Sequence, residues 1–487
     1  MNSFWKNAGI MTFAEIFLKL KALIMMPFIT KYLGAVNYGI WSQVMVIVAL
    51  LSPLVFCGMD NSLARFLPGK TREQQQQDFT GWFLFGLASS FFLFFLVFIF
   101  SHQFSELFFG TEGHYPAFVV LAGLNIMITS LLTGIRNWFR VQNNALSLVY
   151  ITIIQNLTQM IVLIWILMTH QGIYELVLWS LIADSVLIGS YILYMFKTKI
   201  FSKPSLKWFK PYFRFGIVLL PSGYAVWVLN SLDRVFLAQY HSLADIGIYS
   251  IGFTIGYTLI QVIVNPIWSL FPTKSAELYN LNNITELNKL FNQSIKLICW
   301  LIFPSVFGLV IIGNQLLHFL STEEFASGYL VVPIILSGYL FSMLSSYFEM
   351  ILALKNKPYF STIFTTLSCF INIILNFLLI PKFSYMGAAL ATTLSFCFQL
   401  TISSIYGLKE NLISFEKTPI LKILLSTLGM FLGTFYAKIY WFSFDENWSF
   451  FLSIFTGISI YLIFTWILQI YSFNFLLKLL KKDILHA

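Results

Sequence analysis

The stretch ALSLVYITIIQNLTQMIVLIWILMTHQGIYELVLWSLIADSVLIGSYILYMFKTK, residues 145–199, decides the fold class. It holds two apolar runs, 145–169 and 174–196, joined by a short link around His170, Gln171 and Gly172, and no Lys or Arg appears until Lys197 and Lys199. A bilayer core about 30 Å thick is crossed by roughly 20 apolar residues in helical form, so each run is long enough to cross once. Lipid offers the backbone no hydrogen-bond partners, and a helix satisfies its own. The stretch therefore reads as two membrane-crossing helices with a basic end that marks one side of the membrane.

Outward from this pair the pattern recurs along all 487 residues, of which 58% are hydrophobic. About fourteen transmembrane helices are expected, at 8–30, 38–59, 79–101, 115–135, 145–169, 174–196, 212–239, 246–272, 294–317, 328–353, 358–380, 385–407, 420–440 and 447–471. The fold class is all-α integral membrane. Between the spans, 23 of the 29 Lys and Arg residues fall in alternate connections, the largest group being Lys197, Lys199, Lys203, Lys207, Lys210 and Arg214. Only Lys31, Lys382 and Lys438 lie in the other set. The positive-inside rule places the basic connections, and both termini, in the cytoplasm. The first span has a thin basic flank and no small-residue cleavage pattern, so it is expected to be a retained helix rather than a removed signal peptide.

This bias also explains the net charge of +9, together with attraction to anionic headgroups, so nucleic acid is not an expected partner. Cys57, Cys299, Cys369 and Cys397 sit within spans without CxxC spacing, which argues against disulfides and a thiolate metal site. His102, His114, His170, His241 and His318 map to outer loops or their edges and read as solvated residues; none has HExxH spacing, and no metal is expected. The chain has no Walker A sequence or nucleophile elbow, so neither ATP coupling nor a cofactor is expected. The longest inner connections, 197–211 and 273–293, are too short to bury a core, which leaves no domain for an enzyme acting on a soluble substrate. The Gln run at 74–77 reads as a solvated inner loop.

Gly39-Ile40-Trp41-Ser42 is echoed by Gly247-Ile248-Tyr249-Ser250, an offset of 208 residues at which Tyr32 meets Tyr240 and Asn37 meets Asp245. Six spans separate the copies, and an even number preserves direction, so the halves read as parallel repeats about an axis along the membrane normal. Shared turn chemistry is the alternative source of so short an echo. The expected organisation is a six-helix lobe over 1–197, a basic linker over 198–211, a second six-helix lobe over 212–408, and two further helices with a basic tail over 409–487.

The segments ITKYLGAVNYGIWSQ (29–43), GMDNSLARFLPGK (58–70), LDRVFLAQYHSLADIGIYSIG (232–252) and MGAALATTLSF (386–396) resemble the recurring signatures of polysaccharide-type, Wzx-like flippases. These belong to the superfamily that also holds multidrug extruders and lipid II flippases. The resemblance implies two six-helix lobes plus two C-terminal helices. It also implies that alternating access carries a polyprenyl-pyrophosphate-linked oligosaccharide, for O-antigen, capsule or a related surface polysaccharide, across a bacterial cytoplasmic membrane. A polysaccharide polymerase and glycosyltransferases are candidate partners.

Ionisable residues inside spans are costly, so each is a candidate for function. The first span carries Glu15, Lys19 and Lys21. Glu15 and Lys19 share a face at i,i+4, while Lys21 lies about 200° around from Lys19. A straight helix does not point both lysines into a narrow cleft; a wide cavity or a bend near Pro27 would allow it. The two readings are a cationic cavity that binds pyrophosphate, and a structural Glu15–Lys19 pair with Lys21 at headgroups. Asp233 and Arg234 sit toward the outer end of the seventh span, where adjacent positions diverge by about 100° and are expected to serve different neighbours. The resemblance implies that an Asp-Arg pair here is a family feature. Arg234 is then a phosphate or sugar contact, and Asp233 orients it or takes part in cation coupling, with outward snorkelling the alternative.

Asp184, near the middle of the sixth span, and Glu349, near the inner end of the tenth, are candidates for coupling to a proton or sodium gradient. Glu349 lies close in sequence to Lys355 and Lys357, which favours an interfacial salt bridge for it. Asp60 reads as a cap or anchor. The stripes Gln155/Gln159 and Asn372/Asn376 read as interhelical hydrogen bonds, with sugar binding the alternative. The span prolines are expected at Pro221, Pro266, Pro304 and Pro333, all in the second half, as bending points for alternating access, with static kinks the alternative. Two other transport or enzyme classes compete with the flippase: an extruder of cationic drugs, which two lysines in the first span argue against, and a membrane-embedded polymerase or ligase, which the short outer loops argue against.

Overall fold

The computed structural model describes the backbone of residues 2–110, 115–142, 144–441 and 446–471, and the side chains of 25–110, 115–142, 144, 146–440 and 448–471. Among the described residues the chain is helical between its turns. The helices are α1 (Asn2–Val55), α2 (Asp60–Phe66), α3 (Arg72–Ile99), α4 (Ser101–Phe109), α5 (Pro116–Val141), α6 (Ala145–Met168), α7 (Ile173–Lys197) and α8 (Phe209–Tyr240). They continue as α9 (Leu243–Asn280), α10 (Ile284–Leu320), α11 (Glu323–Ala326), α12 (Val331–Leu354), α13 (Tyr359–Lys409), α14 (Lys417–Trp441) and α15 (Glu446–Ile467). Twelve helices among the described residues are long and apolar enough to cross a membrane.

Twelve helices accommodate fourteen spans because α1 and α13 each contain two. Helix α1 has 54 residues and α13 has 51, roughly 80 Å and 75 Å of helix, far more than one bilayer needs. Each is two helices joined at one non-helical residue: Gly34 (φ 73°, ψ 178°) in α1 and Ser384 (φ 48°, ψ −133°) in α13. Glycine adopts positive φ without a Cβ penalty, whereas Ser384 holds it as an L residue in a sparsely populated region. On either side of Ser384 stand 25 helical residues, about 37 Å, close to one crossing each.

Several local expectations are corrected. The Gln run is not a loop: it forms the first turns of α3, with Thr71 as N-cap and Gln74 completing a capping box. Gln75 donates to the carbonyls of Leu67 and Lys70, and Gln76 to that of Lys199, so the run ties connections together. Helix-interior prolines are not confined to the second half, because Pro27 and Pro53 lie inside α1. Pro333 instead occupies the first turn of α12, where a missing N–H costs nothing.

Contacts gather residues 1–247 with 376–384, and 248–375 with 385–487, into two compact units. In the first unit, Phe56 stacks on Trp82 with centroids 3.8 Å apart, inside a core drawn from α1, α3, α5 and α7. In the second, α10 packs against α12, α14 and α15, and the Tyr461 hydroxyl donates to the Trp300 carbonyl at 2.7 Å. Large apolar side chains stand exposed along the helices, among them Ile161, Met168, Phe370 and Phe455, as expected of surfaces facing lipid.

The sequence echo is a physical contact in the first unit. A Cβ on Gly39 would stand 1.9 Å from the Leu243 carbonyl oxygen, and one on Gly247 would stand 2.1 Å from the Ala35 carbonyl oxygen. Leu243 is Ala35 shifted by 208 residues and Gly247 is Gly39 shifted by the same number, so the contact is reciprocal. That is the signature of a local two-fold relation, in which each copy presents the same pair of residues to the other. The same offset carries Gly34 to Ser242, in the turn between α8 and α9.

Candidate functional site

Glu15, Lys19 and Lys21 lie on the described backbone of α1, but their side chains fall outside the described residues. The remaining candidates occupy three places.

The first is the pair on α8. Asp233 and Arg234 are buried, 1% and 7% exposed, so neither snorkels outward. They also do not diverge as the helical angle implies. The Asp233 carboxylate folds back to accept the Arg234 backbone N–H at 2.7 Å and stands 3.6 Å from its guanidinium. Arg234 Nη1 donates to the Asn230 carbonyl at 2.7 Å, and Gln43 of α1 donates to the Arg234 carbonyl at 2.8 Å. A buried charge needs such partners, and a short Asp side chain reaches a neighbour that backbone geometry alone points away.

The second place joins α5, α6 and α7. Arg136 Nη2 donates to Gln155 Oε1 at 2.5 Å, and Gln155 Nε2 donates to Asp184 Oδ2 at 3.1 Å. Gln159 Nε2 reaches the same oxygen at 3.2 Å. The i,i+4 stripe of glutamines is thus an interhelical bridge from a guanidinium to a buried carboxylate.

The third place centres on Glu349 of α12. Its carboxylate accepts from Ser345 at 2.7 Å, from Ser361 at 2.5 Å and from Gln399 Nε2 at 3.0 Å. The expected salt bridge to Lys355 or Lys357 is absent among the described residues. Lys357 instead pairs with Glu410 at 2.7 Å, and that hydrogen bond holds its ammonium above the ordinary lysine range. The second place lies on α5, α6 and α7, and the third on α12 and the two arms of α13. The Asp184 cluster bridges a cation to a carboxylate through amides; the Glu349 cluster satisfies a carboxylate with neutral donors alone.

Two further acids, the buried Asp78 and the half-buried Asp60, stand apart from these places. Asp78 of α3 pairs with Lys70 and accepts from the Tyr212 hydroxyl at 3.1 Å. No sequence spacing signals this triad, because its members come from a loop, α3 and α8. Asp60 opens α2, but Met59 is the cap residue and makes no side-chain cap bond. His241 is likewise more than a solvated loop residue, since its Nε2 stands 2.8 Å from the Ile380 carbonyl oxygen.

Burial pushes the Asp60 carboxyl up to about 6, against smaller lowering by its own backbone N–H and by Arg140. A raised acid pKa favours the protonated fold, so this contribution is complete below about pH 3.8 and is lost as pH rises through 6. The difference corresponds to at most about 3 kcal/mol at pH 7. Asp60→Asn is therefore expected to melt higher than wild type at pH 7 and to match it near pH 4. A pH-independent difference in detergent melts overturns the assignment.

A family profile described as "Polysaccharide biosynthesis protein" matches residues 28–328. The chain belongs to this family. That stretch contains the Asp233–Arg234 pair, the Asp184 bridge and both copies of the repeated motif. A protein described as a probable low-salt glycan biosynthesis flippase from Haloferax volcanii is 24% identical over 236 residues, covering 48% of this chain and 49% of that protein. The capsular polysaccharide biosynthesis protein CapF of Staphylococcus aureus is 25% identical over 229 residues, covering 46% and 57%. The chain thus spans about half the length of the curated relatives it matches. Among solved structures, the lipid II flippase MurJ in its inward closed conformation aligns with a TM-score of 0.74 at 18% identity, over 93% of this chain and 97% of that one. An inward-facing multidrug resistance MATE family transporter of the MOP superfamily aligns with a TM-score of 0.65 at 12% identity, over 80% and 94%. These likenesses establish the fold of the polysaccharide biosynthesis family member described here as that of MurJ and MATE transporters.

Proposed function

We propose that this chain is a flippase that moves a polyprenyl-pyrophosphate-linked oligosaccharide across a bacterial cytoplasmic membrane by alternating access, drawing on a proton or sodium gradient. The family match over residues 28–328 is the observation that carries this reading. It is supported by curated relatives described as a glycan biosynthesis flippase and a capsular polysaccharide biosynthesis protein. In this reading Arg234, with Lys19 and Lys21, meets the pyrophosphate, because cations held at partly desolvated depth bind phosphate more strongly than in water. Asp233 orients Arg234 through the contact between them. Asp184 and Glu349 are the carboxylates available to exchange an ion during the cycle, and Glu15 pairs with Lys19. The chain makes and breaks no covalent bond. Both termini are cytoplasmic, and a polymerase and glycosyltransferases supply and consume the cargo.

The test is complementation of a flippase-null bacterium that makes a matched surface polysaccharide. Wild type is expected to restore the polymer, and Arg234→Ala, Lys19→Ala or Lys21→Ala at equal membrane level is expected to lower it tenfold or more, the worth of one charge-assisted phosphate contact. Restoration by wild type and all three variants alike would leave flipping intact and remove the cationic site. Failure of wild type with a matched cargo would favour drug extrusion.

A further inference from the structure

In the second unit, α10, the start of α14 and the residues that follow α15 line an open cavity of about 600 Å³. Lys296 of α10 and Lys417 and Lys422 of α14 line it, against a single carboxylate, Glu416. Lys296 is fixed in place: its ammonium donates to the Ile470 carbonyl at 2.6 Å and stands 4.3 Å from the centre of the Tyr471 ring. Lys417 and Lys422 form no ion pair among the described residues, and neither does Glu416. Three ammonium groups and one carboxylate leave an excess of two positive charges around one cavity. Such charges repel one another, more strongly at the half-buried Lys296 and Lys422 than at the exposed Lys417, which water screens.

An anion in the cavity would reverse that balance. The first turn of α14 adds to the attraction, since its N–H groups lack intrahelical acceptors and carry the positive end of the helix dipole. The wall is not wholly polar, because Phe415, Pro419 and Ile470 also line it. A mixed cationic and apolar wall at the Lys-rich ends of membrane-crossing helices matches a phosphate carried on a lipid, and basic pockets between helices at this level are where such headgroups dock.

We propose that the cavity formed by Lys296, Lys417 and Lys422 binds the phosphate of an anionic membrane lipid. The site is built from residues of the second unit, whereas Arg234 and Asp184 belong to the first, and it does not depend on the cargo proposed above. A glycerophospholipid and a polyprenyl diphosphate share the chemistry that the site recognises.

The experiment is native mass spectrometry of the full chain in mild detergent, with phosphatidylglycerol, a polyprenyl diphosphate, inorganic phosphate and phosphatidylcholine as separate probes. Thermal melts confirm that each variant is folded. Wild type is expected to retain phosphatidylglycerol or the polyprenyl diphosphate over phosphatidylcholine, and whichever is retained identifies the source. Lys417→Gln with Lys422→Gln is expected to lower retention roughly thirtyfold, from the usual worth of two lysines beside an anionic lipid surface. Glu416→Gln is expected to raise it. Lys203→Gln with Lys207→Gln, in the basic connection before α8, is expected to leave it unchanged. An equal loss from both lysine pairs would reduce the effect to general surface attraction and overturn the site. So would equal retention of phosphatidylcholine, or retention of inorganic phosphate without either anionic lipid.

Discussion

Gly39→Ala and Gly247→Ala are each expected to destabilise the protein by about 3 kcal/mol or more, at the upper end of overpacking effects. Each added methyl would meet a backbone carbonyl oxygen, at 1.9 Å for Gly39 and 2.1 Å for Gly247. Backbone cannot rotate out of the way as a side chain can, so α1 and the start of α9 would have to separate. Because one separation relieves both clashes, the double variant is expected to cost clearly less than the sum of the single variants. Melts of the four proteins in detergent decide the matter. Strict additivity, or unchanged melting of the single variants, would mean that the two copies of the motif do not touch as described.

Asp184→Leu is expected to cost about 2–5 kcal/mol, roughly 1–3 for each of the two amide donors left without the Asp184 acceptor. The cost falls on what remains: the amides of Gln155 and Gln159 lose the Asp184 acceptor, and the half-buried Arg136, bridged to Asp184 through Gln155, loses a nearby negative charge. Asp184→Asn keeps an acceptor oxygen and is expected to be milder in stability. If Asp184 also exchanges an ion during transport, the asparagine variant loses polymer export while melting close to wild type. Export at the wild-type level by a stable asparagine variant would leave Asp184 with a structural role only.

The spans were legible in the sequence because hydrophobicity over some 20 residues is a strong, local signal, and the repeat was legible because Gly39 and Gly247 are required by a backbone contact. The two-in-one character of α1 and α13 was less visible, since the breaks at Gly34 and Ser384 occupy one residue each and helix continues directly on either side. Side-chain partners were the least legible. Glu349 lies within eight residues of two lysines yet is satisfied by two serines and a glutamine, one serine and the glutamine reached through the fold rather than along the chain. Asp233 and Arg234 meet because a rotamer folds back, which helical angles do not encode. The Asp78, Lys70 and Tyr212 contacts depend on α8 returning beside α3, which no spacing announces.

The single-residue joints in α1 and α13 bear on how the chain tolerates tags and length changes. A connection of several residues absorbs an epitope by bulging into water, but a joint of one residue has no slack to lend. A reporter placed between Gly34 and Ala35, or between Ser384 and Tyr385, would have to unwind helix on both sides to be accommodated. Topology mapping by insertion is therefore best directed to the turn at Asn282 or to the connection before α8, where the chain already leaves the helical path.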